Sequence, residues 1–270
     1  MLHIEQQFLN ELPEANFASL MALPGKVYRQ LDSRQTLRFE LAGKGYFIKK
    51  HFGVGWREII KNLYLGKLPV ISANNERLAL QKLAKHQIKV PKLIAYGSQG
   101  TNPATRQSFI IMEEVIRAIS LEDLCRDWAK KKPNFVLKQR IIQQVGLIVN
   151  KMHRLGINHR DCYLCHFLFY KPSANEIYPT IYLIDLHRAQ LRKQVPVRWI
   201  EKDLAGLYFS SMAIGLTKRD LLRFLEVYFC LPWRKILQMH SQLLKRVENK
   251  AHCLYQKEYN QSSPLTRFFK

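Results

Sequence analysis

A helical pattern that stops at Gly156 runs into Ile157-Asn158-His159-Arg160-Asp161, and an apolar run, Phe167-Leu168-Phe169, follows soon after. That order of helix, short loop carrying His-Arg-Asp, and strand constrains the fold more than any other stretch of the chain. Loops held between rigid elements are where chemistry concentrates. A second strand-like segment, Ile181-Tyr182-Leu183-Ile184, ends in Asp185. Two strands joined by one connection can pair as a hairpin, and such pairing would bring Asp161 and Asp185 to one edge of a cleft.

A loop carboxylate that accepts a hydroxyl proton, with a second at a strand end to hold Mg²⁺, is the minimum equipment of a phosphotransferase of the protein-kinase type. His-Arg-Asp alone recurs by chance, so the surrounding chain has to carry the argument. Upstream, Lys26–Leu31, Thr36–Leu41 and Gly45–Lys50 read as an antiparallel meander with turns at Asp32-Ser33-Arg34 and Ala42-Gly43-Lys44-Gly45. In the third strand Tyr46 and Ile48 face one way, Phe47 and Lys49 the other. A strand lysine is ordinarily solvated, but Lys49 stands where a kinase places the lysine that grips ATP phosphates. The first turn lacks the glycines that let backbone amides wrap phosphate. Ser33 and Arg34 are either side-chain donors in their place or plain exposed turn residues.

Up to about Leu23 the chain carries no sharp motif, and Pro24-Gly25 marks a break. Gly53-Val54-Gly55-Trp56-Arg57-Glu58-Ile59 leads into a basic segment ending at Pro69. After Ser72 a helix carries Glu76, Leu80, Leu83 and Ala84 on one stripe. A carboxylate on an apolar stripe needs a partner, for which Lys49 is the natural candidate, unless Glu76 simply occupies the first turn where the helix dipole favours acid. Val90–Tyr96 and Ser108–Met112 bring the strands of the N-terminal region to five. Glu113-Glu114-Val115 then reads as a linker whose backbone can pair with an adenine edge. Ser120-Leu121-Glu122-Asp123 opens a helix with a capping pattern. A longer helix after Pro133 buries Ile141, Val145, Ile148, Val149 and Met152, and Gly156 ends it. Past Asp185 the chain reads as helical, with Asp203 on the face of Ile200, Leu204 and Leu207, either bonded to the His159–Asp161 loop or exposed. Two further helices span Lys218–Phe229 and Trp233–Lys250.

Composition adds one strong constraint. Of 270 residues, 47% are hydrophobic and 24% charged, ordinary for a globular protein, but 43 basic against 21 acidic residues leave a formal charge of +22. Such an excess implies an anionic partner. No apolar run approaches the roughly 18–20 residues of a spanning helix, and Glu5, Glu11 and Glu14 stand where a signal peptide is apolar. A cytoplasmic protein is expected. Five scattered cysteines predict free thiols rather than a disulfide framework. Cys162-Tyr163-Leu164-Cys165-His166 has the spacing of a haem-attachment motif, yet nothing directs export and no second ligand pair suits zinc, so packed thiols are expected.

His159-Arg160-Asp161 with Tyr163-Leu164-Cys165-His166-Phe167, Gly53–Glu58, Leu68-Pro69-Val70, Arg106-Gln107-Ser108-Phe109-Ile110 and Ile184-Asp185-Leu186-His187-Arg188 closely resemble the lipopolysaccharide core heptose(I) kinases of Gram-negative bacteria. The likeness runs from about Lys26 to about Gly215. It implies an α+β, two-lobed protein-kinase-like fold, with a small antiparallel sheet in an N-terminal lobe (residues 24–114) and a helical C-terminal lobe (residues 115–270). It further implies ATP and Mg²⁺ as cofactors and transfer to the first inner-core heptose of nascent lipopolysaccharide, by an enzyme peripheral to the inner membrane. Acyl carrier protein, small and acidic, is the family's protein partner.

By motif, Asp161 becomes the catalytic base, Asp185 a metal ligand, Lys49 the phosphate-binding lysine and Glu76 its ion-pair partner; Glu113, in the linker, is the expected adenine contact. Where protein kinases keep a metal-facing asparagine, five residues after the base, this chain has His166. That histidine either ligates metal, bonds phosphate or the Asp161 segment, or only packs. Two alternatives stay open: another acceptor, whether Kdo, a second heptose or a protein, and a kinase-shaped nucleic-acid binder without activity. No nucleic-acid module is recognisable, and none is the expected partner.

Overall fold

The structure is a computed structural model that describes residues 1–31, 33–64, 71–264 and 268–269. Asp32 of the first expected turn, Leu68-Pro69-Val70 and the end of the basic segment lie outside the described residues. The chain forms two compact units. The first comprises Met1–Lys82, Val90–Ile116 and Leu186–Arg188, the second Leu83–Lys89, Arg117–Asp185 and Ala189–Lys270.

The first unit is built on an antiparallel sheet. Its strands are β1 (Leu2–Ile4), β2 (Lys26–Leu31), β3 (Arg34–Leu41), β4 (Lys44–His51), β5 (Leu93–Gln99) and β6 (Gln107–Glu113), in the order β1-β5-β6-β4-β3-β2. The expected meander is β2-β3-β4. Its second turn is tighter than expected, because Ala42 and Gly43 take left-handed φ of 48° and 73° and close the hairpin alone, leaving Lys44 and Gly45 in β4. The sheet has six strands rather than five. β1 is too short to show an alternating pattern, and only its pairing with β5, Leu2 opposite Gly97, defines it. β5 begins at Leu93 rather than Val90, since Pro91 has no N–H to give a ladder. Ahead of the sheet lie α1 (Gln6–Glu11) and α2 (Phe17–Ala22), the latter started by a reciprocal Asn16–Ser19 capping box. Their Phe8 and Leu20 pack with Leu37, Phe39, Tyr46, Ile48, Ile94, Phe109 and Ile111 into one core.

Two helices complete this unit. α3 (Gly55–Tyr64) forms where only a basic segment was read. α4 (Asn74–Lys85) buries Glu76, Ala79, Leu80 and Leu83; Ala84, expected on the stripe, is exposed, because a 3.6-residue turn favours Ala79 over the position eight beyond Glu76.

In the second unit a small sheet orders β10 (Ile181–Leu183), β9 (Phe167–Tyr170) and β7 (Ala118–Ser120). The expected hairpin is β9-β10, with Phe167 opposite Leu183. α5 (Leu121–Cys125) is capped by the Ser120 side chain, and α6 (Phe135–Arg154) buries the expected Ile141, Val145, Ile148, Val149 and Met152. The chain past Asp185 is not wholly helical: β11 (Gln190–Leu191) pairs with β8 (Ile157–Asn158), two-residue strands that carry no periodic signal. α7 (Val197–Ser211), α8 (Lys218–Phe229) and α9 (Trp233–Tyr259) follow, with α7 against α9 and α6 against α8. α9 runs past the expected Lys250 to end at a left-handed Asn260.

Gly156 turns the chain from α6 into β8 at φ +74°, and a Cβ there would collide with the Arg192 carbonyl. Gly43 has φ +73° and open space around it. Alanine at Gly43 should therefore cost only the left-handed penalty, about 1–2 kcal/mol, whereas alanine at Gly156 should cost clearly more. Urea unfolding at unchanged m reads the difference; equal midpoints for the two variants would contradict it.

Candidate active site

In the first unit, β4 places Lys49 opposite Thr36 of β3 and Ile110 of β6. Its neighbours Ile48 and Lys50 point to the other face. Lys50 is buried there, its Nζ donating to the Leu23 carbonyl at 2.7 Å, and burial lowers its pKa. Lys49 Nζ instead lies 2.7 Å from Oε1 of Glu76, which is 1% exposed. Of the two sequence readings of Glu76, the lysine partner is the one the geometry takes. Oε2 of Glu76 is buried without a hydrogen-bond partner among the described residues.

Glu113 ends β6 with its N–H donated to the Lys92 carbonyl, and the Glu114 N–H donates to Gly45. The Glu114 carboxylate receives Arg38 through Nε at 3.0 Å and Nη2 at 2.8 Å, and this bonding raises the guanidinium pKa further above its usual range. Arg38 escaped the sequence reading because nothing in a strand's alternation marks which exposed residue meets a distant acid.

In the second unit the loop after β8 is tied down by Asp203 of α7, a fully buried carboxylate. Its Oδ2 accepts the His159 N–H and its Oδ1 the Arg160 N–H, both at 2.7 Å. Arg160 has φ +74°, a conformation that costs on the order of 1–3 kcal/mol outside glycine and needs such support. His153 of α6, missed by sequence reading, faces the same carboxylate through Nε2 at 3.2 Å and meets the Tyr228 hydroxyl through Nδ1 at 2.8 Å.

Two stacked imidazoles, His159 and His166, lie 5.5 Å apart with rings 10° from parallel. Burial pushes the His159 pKa down despite the opposing charge of Asp203, so the ring is neutral and its Nε2–H donates to the Ile184 carbonyl at 3.0 Å. His166 Nδ1 lies 2.7 Å from the Asp161 carbonyl and must donate to it. Its other ring nitrogen, Nε2, lies 3.5 Å from Oδ2 of Asp185. The β9-β10 pairing causes this meeting, since the Ile184 N–H donates to the His166 carbonyl and Asp185 comes next, at φ +59°. The structure thus brings Asp161, His166 and Asp185 together.

Asp185 and Nε2 of His166 are two donors at the right spacing to share a cation. Among the described residues no group of three or more His, Cys, Asp or Glu could hold a metal. Two protein donors suit Mg²⁺, which keeps water and substrate phosphates in its remaining positions, although it prefers oxygen to nitrogen. The neighbouring thiols are not competitors: burial pushes Cys162 well up and Cys165 up to about 11, so both stay protonated.

Residues 18–228 match the lipopolysaccharide kinase (Kdo/WaaP) family. The chain belongs to that family. It is 51% identical over 236 residues to the lipopolysaccharide core heptose(I) kinase WaaP of Escherichia coli, covering 87% of this chain and 89% of the relative. To the enzyme of that name from Pseudomonas aeruginosa it is 47% identical over 244 residues, covering 90% and 91%. A solved structure of WaaP in complex with acyl carrier protein superposes with a TM-score of 0.82 at 40% identity, covering 94% of this chain and 99% of that one. The chain is therefore a phosphotransferase of the ATP-using kinase type, with the α+β fold expected of it.

Asp203→Ala would strand the His159 and Arg160 amides in the interior and is expected to destabilise by about 3 kcal/mol or more. Asp203→Asn keeps one acceptor oxygen and should fall between. Amide exchange at residues 159 and 160 checks the cause, and protection equal to wild type in the alanine variant would refute it.

Proposed function

We propose that this kinase transfers the γ-phosphate of ATP to a hydroxyl of the first heptose of the lipopolysaccharide inner core. The observation that carries the reading is the Asp161–His166–Asp185 group, positioned by the buried Asp203. Near 50% identity to heptose(I) kinases along most of the chain supports the acceptor.

Asp161 orients the acceptor hydroxyl and takes its proton as the oxygen attacks phosphorus. Lys49 donates to phosphate oxygens, and Glu76 holds its ammonium in place. Asp185, with His166 beside it, would hold Mg²⁺, which when bound offsets negative charge on the transferring group. The Glu113 N–H is already spent on Lys92, so an adenine edge would meet this residue at its carbonyl.

Purified protein incubated with ATP, Mg²⁺ and phosphate-deficient core oligosaccharide should add one phosphate, located on the first heptose by mass spectrometry. Asp161→Asn should lower turnover more than about 10²-fold while nucleotide binding persists. Phosphate on a different sugar, or turnover retained by the variant, would defeat the assignment.

We also infer that the enzyme works against the anionic inner-membrane surface. No helix among the described residues is long and apolar enough to cross a membrane. On α3, however, only Ile59 is buried, while Trp56, Ile60, Leu63 and Tyr64 on the same face are 53%, 61%, 55% and 91% exposed. Arg57 and Lys61 flank them. An amphipathic helix with an exposed apolar face and basic flanks suits a headgroup boundary. Co-sedimentation with phosphatidylglycerol vesicles is expected for wild type and should weaken several-fold for an Ile60→Glu variant; unchanged binding would remove α3 from the interface. The charge of +22 likewise favours an acidic protein partner, for which acyl carrier protein, bound in the related structure, is our proposal.

A further inference from the structure

Ala251 is the last buried residue of α9, and on the same face, four and eight residues further on, stand Tyr255 and Tyr259. Their rings lie 4.6 Å apart and both meet Phe209 of α7, at 6.2 and 6.1 Å, the Tyr259 ring stacked at 29° from parallel. Phe209 in turn meets the Tyr163 ring edge-on at 6.0 Å. Four aromatic rings thus run from α9 across α7 to the loop that carries Asp161.

Tyr163 is fixed at the loop end of this row. Its N–H donates to the Asp161 carbonyl at 3.0 Å, and the next N–H, of Leu164, donates to Ser210 Oγ of α7 at 3.0 Å. Gly206 of α7 lies against the ring, where a Cβ would stand 3.2 Å from Cε1. On its other flank the ring is 6.2 Å from that of His166. Rings gathered only to build a core are covered, as Phe167 and Phe169 of β9 are at 0% and 3% exposure. Tyr163, Phe209 and Tyr255 are instead partly exposed, and Tyr259 is 53% exposed. Aromatic faces left in water beside a catalytic loop offer apolar area for a ligand to cover.

We propose that Tyr163, Phe209, Tyr255 and Tyr259 form a platform on which sugar rings of the acceptor stack, next to the hydroxyl that Asp161 deprotonates. The proposal rests on the heptose kinase reading and deepens it. A sugar ring turns a flat patch of C–H bonds to one side and hydroxyls to its rim. An aromatic face covers the first, and the phenol hydroxyls of Tyr255 and Tyr259 can donate to or accept from the second. An open shelf of this kind suits a flat, hydroxylated ring, whereas a hydrocarbon chain is held by walls that enclose it. Tyr163 is two residues from Asp161, so a sugar stacked here lies beside the reacting one and supplies, away from the reacting oxygen, the orientation that transfer requires.

The test follows KM for phosphate-deficient core oligosaccharide and KM for ATP in the full chain. Tyr259, exposed at the end of α9, is the principal position, because truncation there removes little packing. Tyr259→Ala should raise KM for the oligosaccharide about tenfold, the effect of leaving roughly 55 Å² of apolar sugar surface in water, with KM for ATP unchanged. Tyr259→Phe keeps the ring and should restore the oligosaccharide KM, which a purely structural role of the phenol hydroxyl would not predict. An unchanged oligosaccharide KM in the alanine variant, a rise of equal size in KM for ATP, or a loss confined to kcat would overturn the platform. Should wild type place no phosphate on the oligosaccharide, the heptose kinase reading fails, and isothermal titration of the same oligosaccharide then decides the platform separately. Affinity about tenfold weaker in Tyr259→Ala and regained in Tyr259→Phe supports it. Equal affinity in all three proteins, or no binding by wild type, overturns it.

Discussion

A single buried carboxylate, Asp203, organises the second unit around its loop. Burying a charge costs several kcal/mol unless hydrogen bonds replace its water, and here two backbone N–H groups at 2.7 Å and an imidazole nitrogen do so. Those bonds fix α7, α6 and the loop after β8 against one another and hold Arg160 in its left-handed conformation. From there the constraint passes on through short contacts. His159 is anchored at both its amide and its Ile184 bond, its ring stacks on His166, and His166 grips the Asp161 carbonyl with one nitrogen while presenting the other to Asp185. A neutral His159 suits this arrangement, since a charged ring would place a cation at a fully buried position.

The first unit solves a similar problem by different means. Among the described residues its buried acid, Glu76, is held by the Lys49 ammonium, and its other oxygen has no hydrogen-bond partner there. The pair depends on strand register: shifting β4 by one residue would exchange Lys49 with the face that carries Ile48 and Lys50. Lys50 shows the fate of a lysine on that other face, buried and committed to a backbone carbonyl. Neighbouring lysines thus serve different ends because a strand alternates its faces.

The basic excess is distributed with equal selectivity. Part of it neutralises acids, as Lys138 and Arg223 do on the buried Asp220, whose carboxyl is raised by burial but brought below its usual range chiefly by the Lys138 hydrogen bond. Part of it collects around Trp199, where Arg192 is held by amides instead. Cations that meet buried acids, as Lys138 and Arg223 do, stabilise the fold by replacing the water such a carboxylate loses.

Much of this was legible in the sequence, because alternation and helical periodicity report which face of an element is apolar. Lys49 against Tyr46 and Ile48, Glu76 on an apolar stripe, Asp203 beside Leu204 and Leu207, and the β9-β10 hairpin ending at Asp185 all follow from such patterns. The loop carrying His159-Arg160-Asp161 and the strand end at Asp185 are both legible as positions along the chain, whereas the His166 contact to the Asp161 carbonyl is not. Pattern does not reveal which element covers a face. The sequence left Glu76 between a lysine and a helix dipole, and Asp203 between the loop and solvent, until packing chose. It also passed over β1, β8 and β11, too short to have a period, and Arg38–Glu114, His153 and the Trp199 cluster, whose members are brought together across long stretches of chain. What the sequence determined by itself was the set of local elements and the side chains each would turn inward. Only tertiary structure decided which inward groups met, because a hydrogen bond or an ion pair depends on distances of a few ångströms between segments that no local pattern relates.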